Sequence, residues 1–179
     1  MGHKKQYIRK LENLIEGRED ANIIDFKMGT STVTYSIREN PNRMGKRLSK
    51  DKGSTTVSHG LRVIGYVIKN LERRVEEKFY KFPYKTKDDI PQVLRKVFSF
   101  PRSENMFESK LVQYEINREA QQFALGELQR LADFLANRSS RDIKGASILI
   151  LLDHFARSYA VKIIDLSTID VYSDPKQRD

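Results

Sequence analysis

Two short stretches carry side chains whose type and spacing could do chemistry. In Ile23-Ile24-Asp25-Phe26-Lys27-Met28-Gly29 a carboxylate and an ammonium stand two residues apart. On a strand alternate residues share a face, so Asp25 and Lys27 project together while Ile24 and Phe26 turn to the core. A carboxylate beside an ammonium can orient a hydroxyl and hold a phosphate, as phosphoryl transfer requires. A surface ion pair on a strand accounts for the same pattern. The second stretch is Ile163-Ile164-Asp165-Leu166, where an Asp closes an apolar strand. Asp165 is either a carboxylate placed to hold magnesium at nucleotide phosphates or a strand-ending residue that caps the next turn.

The elements that must position these residues are read from periodicity. Residues 23–27 read as a short strand closed by Met28-Gly29, and Thr32 to Ile37 alternates as a second, half-exposed strand would. Arg38 to Lys52 holds six Lys or Arg against two acids. Its large apolar residues, Met44 and Leu48, are spaced for one helical face. Leu61 to Ile68 reads as a strand with a bulge or bend at Gly65. Thr86, the acids after it and Pro91 predict a helix that buries Ile90, Val93, Leu94, Val97 and Phe98 and ends before Pro101. A long helix is expected from about Glu108 to about Asn137. Leu111, Tyr114, Leu125, Leu128, Leu131, Phe134 and Leu135 form its apolar stripe, and Gly126 could mark a close crossing. Ser147 to Leu152 and Tyr159 to Ile164 close the order as a hairpin, which is an α+β arrangement.

Composition narrows the function classes. The 179 residues suffice for one domain, and 33 Lys and Arg against 24 Asp and Glu leave a net charge of +9. That balance points to a polyanionic partner: nucleic acid, anionic membrane, acidic protein or a phosphorylated small molecule. With no cysteine, disulfides, zinc-thiolate sites and cysteine nucleophiles are excluded. His3, His59 and His154 show no ligand spacing. The apolar run Ile148 to Leu152 is far short of a membrane span. The start lacks an apolar signal core, so an intracellular protein is expected, with cytoplasm, nucleus and mitochondrion undistinguished.

Taken together and in order, the motifs resemble the inositol polyphosphate kinase family. Its signature is Pro-x-x-x-Asp-x-Lys-x-Gly, matched by Ala21 to Gly29 in all but the proline. Ser54-Thr55-Thr56 followed by Gly60-Leu61-Arg62-Val63-Ile64-Gly65 resembles its Thr-Thr-Ser and Gly-x-Arg-x-x-Gly segment. Ala146 to Asp153 resembles its Ser-Ser-Leu-Leu strand, and Val161 to Leu166 its Ile-Asp-Phe strand.

The resemblance implies the carboxyl-terminal lobe of that kinase fold, an antiparallel sheet with flanking helices. It implies Asp25 as base or hydroxyl orienter and Lys27 as a phosphate holder. Arg43, Lys46, Arg47, Lys50 and Lys52 become inositol phosphate contacts, Asp165 the magnesium ligand, and Ser147 a residue near ATP. Leu11-Glu12-Asn13-Leu14 looks like the family's hinge, which makes Glu12 and Asn13 nucleotide-facing. The expected division is a hinge-like segment over 1–20, the kinase-like lobe over 21–170 and a tail over 171–179.

Departures from the pattern shape the expected function. Ala21 and Ala146 replace a proline and a serine, and Leu166-Ser167-Thr168 stands where Phe-Ala-His is common. The amino-terminal lobe, half of the nucleotide clamp, is expected to be absent, and the face it would cover calls for a partner. The reading put first is a non-catalytic family member, a subunit of a larger assembly with other proteins that retains anion or inositol phosphate binding. The alternative is an active kinase using magnesium and ATP. A basic nucleic-acid-associated protein ranks last, because aromatics do not interleave the basic stretch.

Overall fold

Strand β1 (Asn22–Met28) forms where the first apolar and polar residues alternate, and it becomes the centre of the sheet. In this computed structural model residues 13–33, 35–69, 75–80, 89–102, 113–138, 141–142, 145–165 and 170–171 are described. β1 is flanked by β2 (Leu61–Lys69) and β7 (Ser147–Asp153). β3 (Val75–Tyr80) and β8 (Ser158–Ile164) complete the order β3-β2-β1-β7-β8, and the pairings are antiparallel. The remaining strands are β4 (Ser99–Arg102), β5 (Gln113–Ile116), β6 (Arg141–Asp142) and β9 (Asp170–Val171), joined as two small two-stranded sheets.

The helices are α1 (Tyr35–Arg38), α2 (Pro41–Lys52), α3 (Thr56–His59), α4 (Asp89–Phe98) and α5 (Arg118–Arg138). α4 carries Val93, Val97 and Phe98 onto one face of the sheet, where they pack with Ile24, Phe26, Val63, Tyr66, Ile150 and Leu152. α5 adds the small residues Ala120 and Ala124 to the same core. The alternation in β1 thus does what the sequence implies: Ile24 and Phe26 enter the core, and Asp25 and Lys27 take the opposite face. That opposite face is covered at one end by a smaller cluster of Ala21, Leu151 and Ala160, against which Leu14, Ile23 and Leu149 pack.

The bulge expected near Gly65 is present. The β1–β2 register passes from Asp25↔Gly65 to Phe26↔Val63, leaving Ile64 as the extra residue. Three sequence expectations are corrected. Thr32 to Ile37 is not a strand: Thr32 and Val33 are buried loop residues and Tyr35–Arg38 is a helical turn. The long helix does not begin near Glu108, because Gln113–Ile116 pairs with Ser99–Arg102 and Asn117 starts the helix instead, its Oδ1 accepting from the Ala120 amide at 3.0 Å. Gly126 marks no close crossing, since a Cβ there meets nothing within 4 Å. The expected cap Thr86 and the stripe residue Leu111 lie outside the described residues. The basic stretch does form a helix, α2, started by Asn40 accepting from the Arg43 amide at 3.1 Å and by Pro41 in its first turn.

Candidate functional site

The β1–β7 register sets Lys27 opposite Ser147, and the β7–β8 register sets Ser147 opposite Ile164. One row across three strands therefore delivers Asp165, the residue after Ile164, to the end of the Lys27 side chain. Lys27 Nζ donates to Ser147 Oγ at 3.3 Å and pairs with Asp165 Oδ2 at 2.8 Å. Lys27 and Ser147 are buried, whereas the Asp165 side chain is 61% exposed and faces outward. Asp165 has φ 61°, in the left-handed region that Asp tolerates better than most side chains. That backbone conformation accompanies the contact of the Asp165 carboxylate with Lys27.

Asp25 sits one step further along the same face. Its Oδ1 is buried and has no hydrogen-bond partner in the protein. Burial raises the carboxyl above its ordinary range; the Ser147 hydroxyl and the Lys27 ammonium oppose the shift, and the Asp165 carboxylate adds to it. Gly29, which closes the motif, has φ 96°, and a Cβ there would stand 3.2 Å from the Ser31 carbonyl. Its amide donates to the Gly60 carbonyl at 2.8 Å and ties the end of β1 to the start of β2.

The basic residues expected to contact ligand are on α2. At 3.6 residues per turn, Arg43, Lys46, Arg47 and Lys50 share an arc of about 100°. Arg43, Lys46 and Lys50 are exposed and Arg47 is half-buried. Lys52 lies on the far side of the helix, about 180° from Arg43. Of the other residues of α2, Asp51 is buried and Met44 half-buried, whereas Leu48 is 38% exposed.

Asp51 is a residue sequence reasoning missed, together with its partner Arg62. Asp51 is 2% exposed, and its Oδ1 lies 2.6 Å from Arg62 NH1. The signal was available: Asp51 stands seven residues, two helical turns, after Met44, so the lone acid of α2 shares the Met44 face. Of the hinge-like pair, Glu12 lies outside the described residues. Asn13 is exposed in a turn, its Oδ1 accepting from the Ile15 amide at 3.4 Å.

The family profile of inositol polyphosphate kinases matches residues 8–179. The chain belongs to that family. A solved structure of an inositol phosphate multikinase superposes with TM-score 0.69 at 22% identity, spanning 90% of this chain and 74% of that one. Inositol phosphate multikinase Ipk2 of S. cerevisiae, solved with ADP and Mn2+, superposes with TM-score 0.60 at 18% identity, over 90% of this chain and 72% of that one. Among curated proteins no sequence matches. The inositol polyphosphate kinase fold accounts for the antiparallel sheet and its flanking helices.

Within this family fold the chemistry-bearing face is distinct from an apolar cavity among the described residues. A cavity of about 580 Å³ lies on the helix-covered face, lined by Phe26, Leu61, Leu94, Phe98, Leu128 and Ile150 among others, and no described lining residue is titratable. Among the described residues no helix is long and apolar enough to cross a membrane.

Proposed function

We propose that this chain is an inositol phosphate kinase whose Asp25 receives the acceptor hydroxyl and whose Lys27 holds phosphate. The observation that carries the reading is the Asp25 Oδ1, a buried acceptor that no protein donor satisfies. A buried acceptor without a protein donor has room for one from outside, and a substrate hydroxyl supplies it. The raised pKa of Asp25 fits a group that takes a proton from that hydroxyl, provided the carboxyl is ionised at the working pH. Ser147 and Asp165 hold the Lys27 ammonium at the edge of the site, where an incoming phosphate oxygen can replace the Asp165 carboxylate as its partner. The cationic arc of α2 suits a ring bearing several phosphates, which needs more than one cation at once.

The residues present also fit a magnesium ion. Asp165 offers exposed, hard carboxylate oxygens beside Lys27, and among the described residues no cluster of three or more metal-ligating side chains forms a closed cage. Magnesium is commonly held by one or two carboxylates plus substrate phosphates. When bound it would offset charge on the nucleotide phosphates during transfer.

A second reading keeps the family fold and the anion site but drops the chemistry: a non-catalytic subunit of a larger assembly, with an inositol phosphate as structural anion. Exposed apolar side chains favour it, among them Ile15 at 50%, Leu125 at 67% and Phe134 at 54%, since such residues suit a protein partner. Calorimetric titration with magnesium-ATP and with inositol hexakisphosphate, followed by a turnover assay on a lower inositol phosphate, separates the two. Binding of both with magnesium-dependent turnover is the result expected of the kinase. Binding of the inositol phosphate alone gives the subunit, and binding of neither overturns both readings.

A further inference from the structure

Lys27 and Arg62 are direct partners across β1 and β2, yet each cation has its own carboxylate on its own side. Lys27 turns to Asp165 beyond β7, and Arg62 turns to Asp51 at the end of α2. Both oxygens of the Asp51 carboxylate accept from the protein. Oδ2 accepts from the Thr32 amide at 2.7 Å, and Oδ1 accepts from the Thr32 hydroxyl at 2.7 Å and from Arg62 NH1 at 2.6 Å. Arg62 NH1 also donates to Thr56 Oγ1 at 3.1 Å. Asp51, Arg62, Thr32 and Thr56 are 2%, 7%, 1% and 0% exposed.

We infer that Asp51 and Arg62 are positioning residues that set the distance between the cationic arc of α2 and Lys27. The inference rests on the inositol phosphate reading above and deepens it, because a multiply phosphorylated ring is recognised only if both sets of cations meet it together. Both residues are buried and direct their charges at each other. Arg62 stands in the strand next to Lys27, about 5 Å away by sheet geometry, and Asp51 directly follows Lys50 and lies one turn from Arg47. The buried pair is thus the rigid strut between them. A charged strut of this kind fixes direction as well as distance, since the carboxylate takes donors from a strand, a loop amide and a loop hydroxyl at once.

The test is a double-mutant cycle on the full chain, read as affinity for inositol hexakisphosphate. Asp51→Glu keeps the charge but lengthens the strut by a methylene, and is expected to weaken binding on the order of 10- to 100-fold. Lys46→Ala with Lys50→Ala weakens binding directly. If Asp51 acts through the arc, the loss from the lysine variants shrinks in the Asp51→Glu background. Arg62→Lys, which keeps the cation, is expected to retain more affinity than Arg62→Met. Should Asp51→Glu melt below the assay temperature, Thr32→Val carries the same cycle, since it removes one hydroxyl donor and leaves the ion pair. Additive losses, or unchanged affinity in Asp51→Glu or its substitute, overturn the positioning role while wild-type binding upholds the ligand reading. Wild-type failure to bind overturns the ligand reading, and the positioning role falls with it.

Discussion

Lys27 and Asp165 are 138 residues apart in sequence and 2.8 Å apart in space. The contact exists because β1 lies between strands from both halves of the chain, and because the β7–β8 hairpin returns its last residue to the Lys27 end of the sheet. Neither motif is a site alone. The row Lys27, Ser147, Ile164 makes them one, and a register slip of one residue in β7 would turn Ser147 and its row to the other face.

Asp165 combines an exposed carboxylate with a left-handed backbone, so its two properties can be tested apart. Asp165→Asn keeps a residue that tolerates φ 61° and removes the charge. It is expected to melt close to wild type, because an ion pair with one largely exposed partner adds little stability. Turnover with magnesium-ATP is expected to fall on the order of 10²- to 10³-fold. Asp165→Ala is expected to lose the same activity and about 1 kcal/mol of stability besides, from the left-handed backbone. Melting curves and initial rates on the two variants check both statements.

Asp25 sets activity against stability. Its folded pKa is raised above the unfolded value, so its stabilising contribution is present below the ordinary carboxylate range and is lost as pH rises through the folded value. At neutral pH the buried carboxyl therefore costs stability, a cost that Asp25→Asn removes. The variant is expected to melt higher than wild type at pH 7, with the advantage closing as pH falls through the folded value and gone below about 4. Its turnover is expected to drop on the order of 10²- to 10⁴-fold. A variant that melts lower at pH 7 would show that Asp25 is a structural partner of Lys27 and no base.

On α2 the helical geometry separates residues that the sequence grouped together. Arg43→Ala, Lys46→Ala and Lys50→Ala are each expected to weaken inositol hexakisphosphate binding about tenfold. Lys52→Ala, on the far side of the helix, is expected to leave it within about twofold. Titrations at two salt concentrations check that the losses come from the arc, since a general charge effect would treat Lys52 like the rest.

What was legible in the sequence follows from how locally each element is determined. β1 and α4 were plain because their residues repeat with periods of two and 3.6 and their core faces are continuous. Thr32 to Ile37 alternates as well, but the Asp51 carboxylate holds Thr32 in a loop and Asn40-Pro41 starts a helix directly after, so a tertiary bond outweighed β-propensity. Tyr114 fitted a helical stripe and lies instead in β5, whose pairing with β4 no local pattern announces. Of the site, Asp25, Lys27 and Asp165 were legible as motifs. That Ser147 would bond Lys27, and that Arg62 would turn to Asp51, depended on registers visible only once the strands were paired.

Asn22 joins three elements behind the site. Its Nδ2 donates to the Val97 carbonyl at 3.0 Å and reaches the Ser99 carbonyl at 3.5 Å, and its Oδ1 accepts from the Lys69 amide at 2.8 Å. Asn22→Ala strands the Lys69 amide and opens a small void at a residue 2% exposed. The expected loss is about 2–3 kcal/mol, measured by denaturant unfolding. Asn22→Asp is expected to be no better, because a carboxylate cannot donate to the two carbonyls.

His154 gives the fold its clearest acid sensitivity. Its Nε2 lies 3.0 Å from the Val97 carbonyl, which can only accept, so Nε2 carries the hydrogen. Nδ1 lies 3.1 Å from Asn117 Nδ2, a donor, so Nδ1 must be the bare acceptor. The neutral ring thus links the end of α4 to the residue that caps α5. Burial lowers the His154 pKa, against opposing effects from the Val97 carbonyl and the Asp153 carboxylate. A proton on Nδ1 would set two donors against each other. The folded pKa lies below the unfolded one, so the contribution is complete above about pH 6.5 and is lost as pH falls toward the folded value, by at most about 1.4 kcal/mol per pH unit. His154→Gln is expected to melt lower than wild type at pH 7.5 and to lose less between pH 7.5 and 5.5. Parallel melting curves for the two proteins across that range would exclude His154 as the source of the acid response.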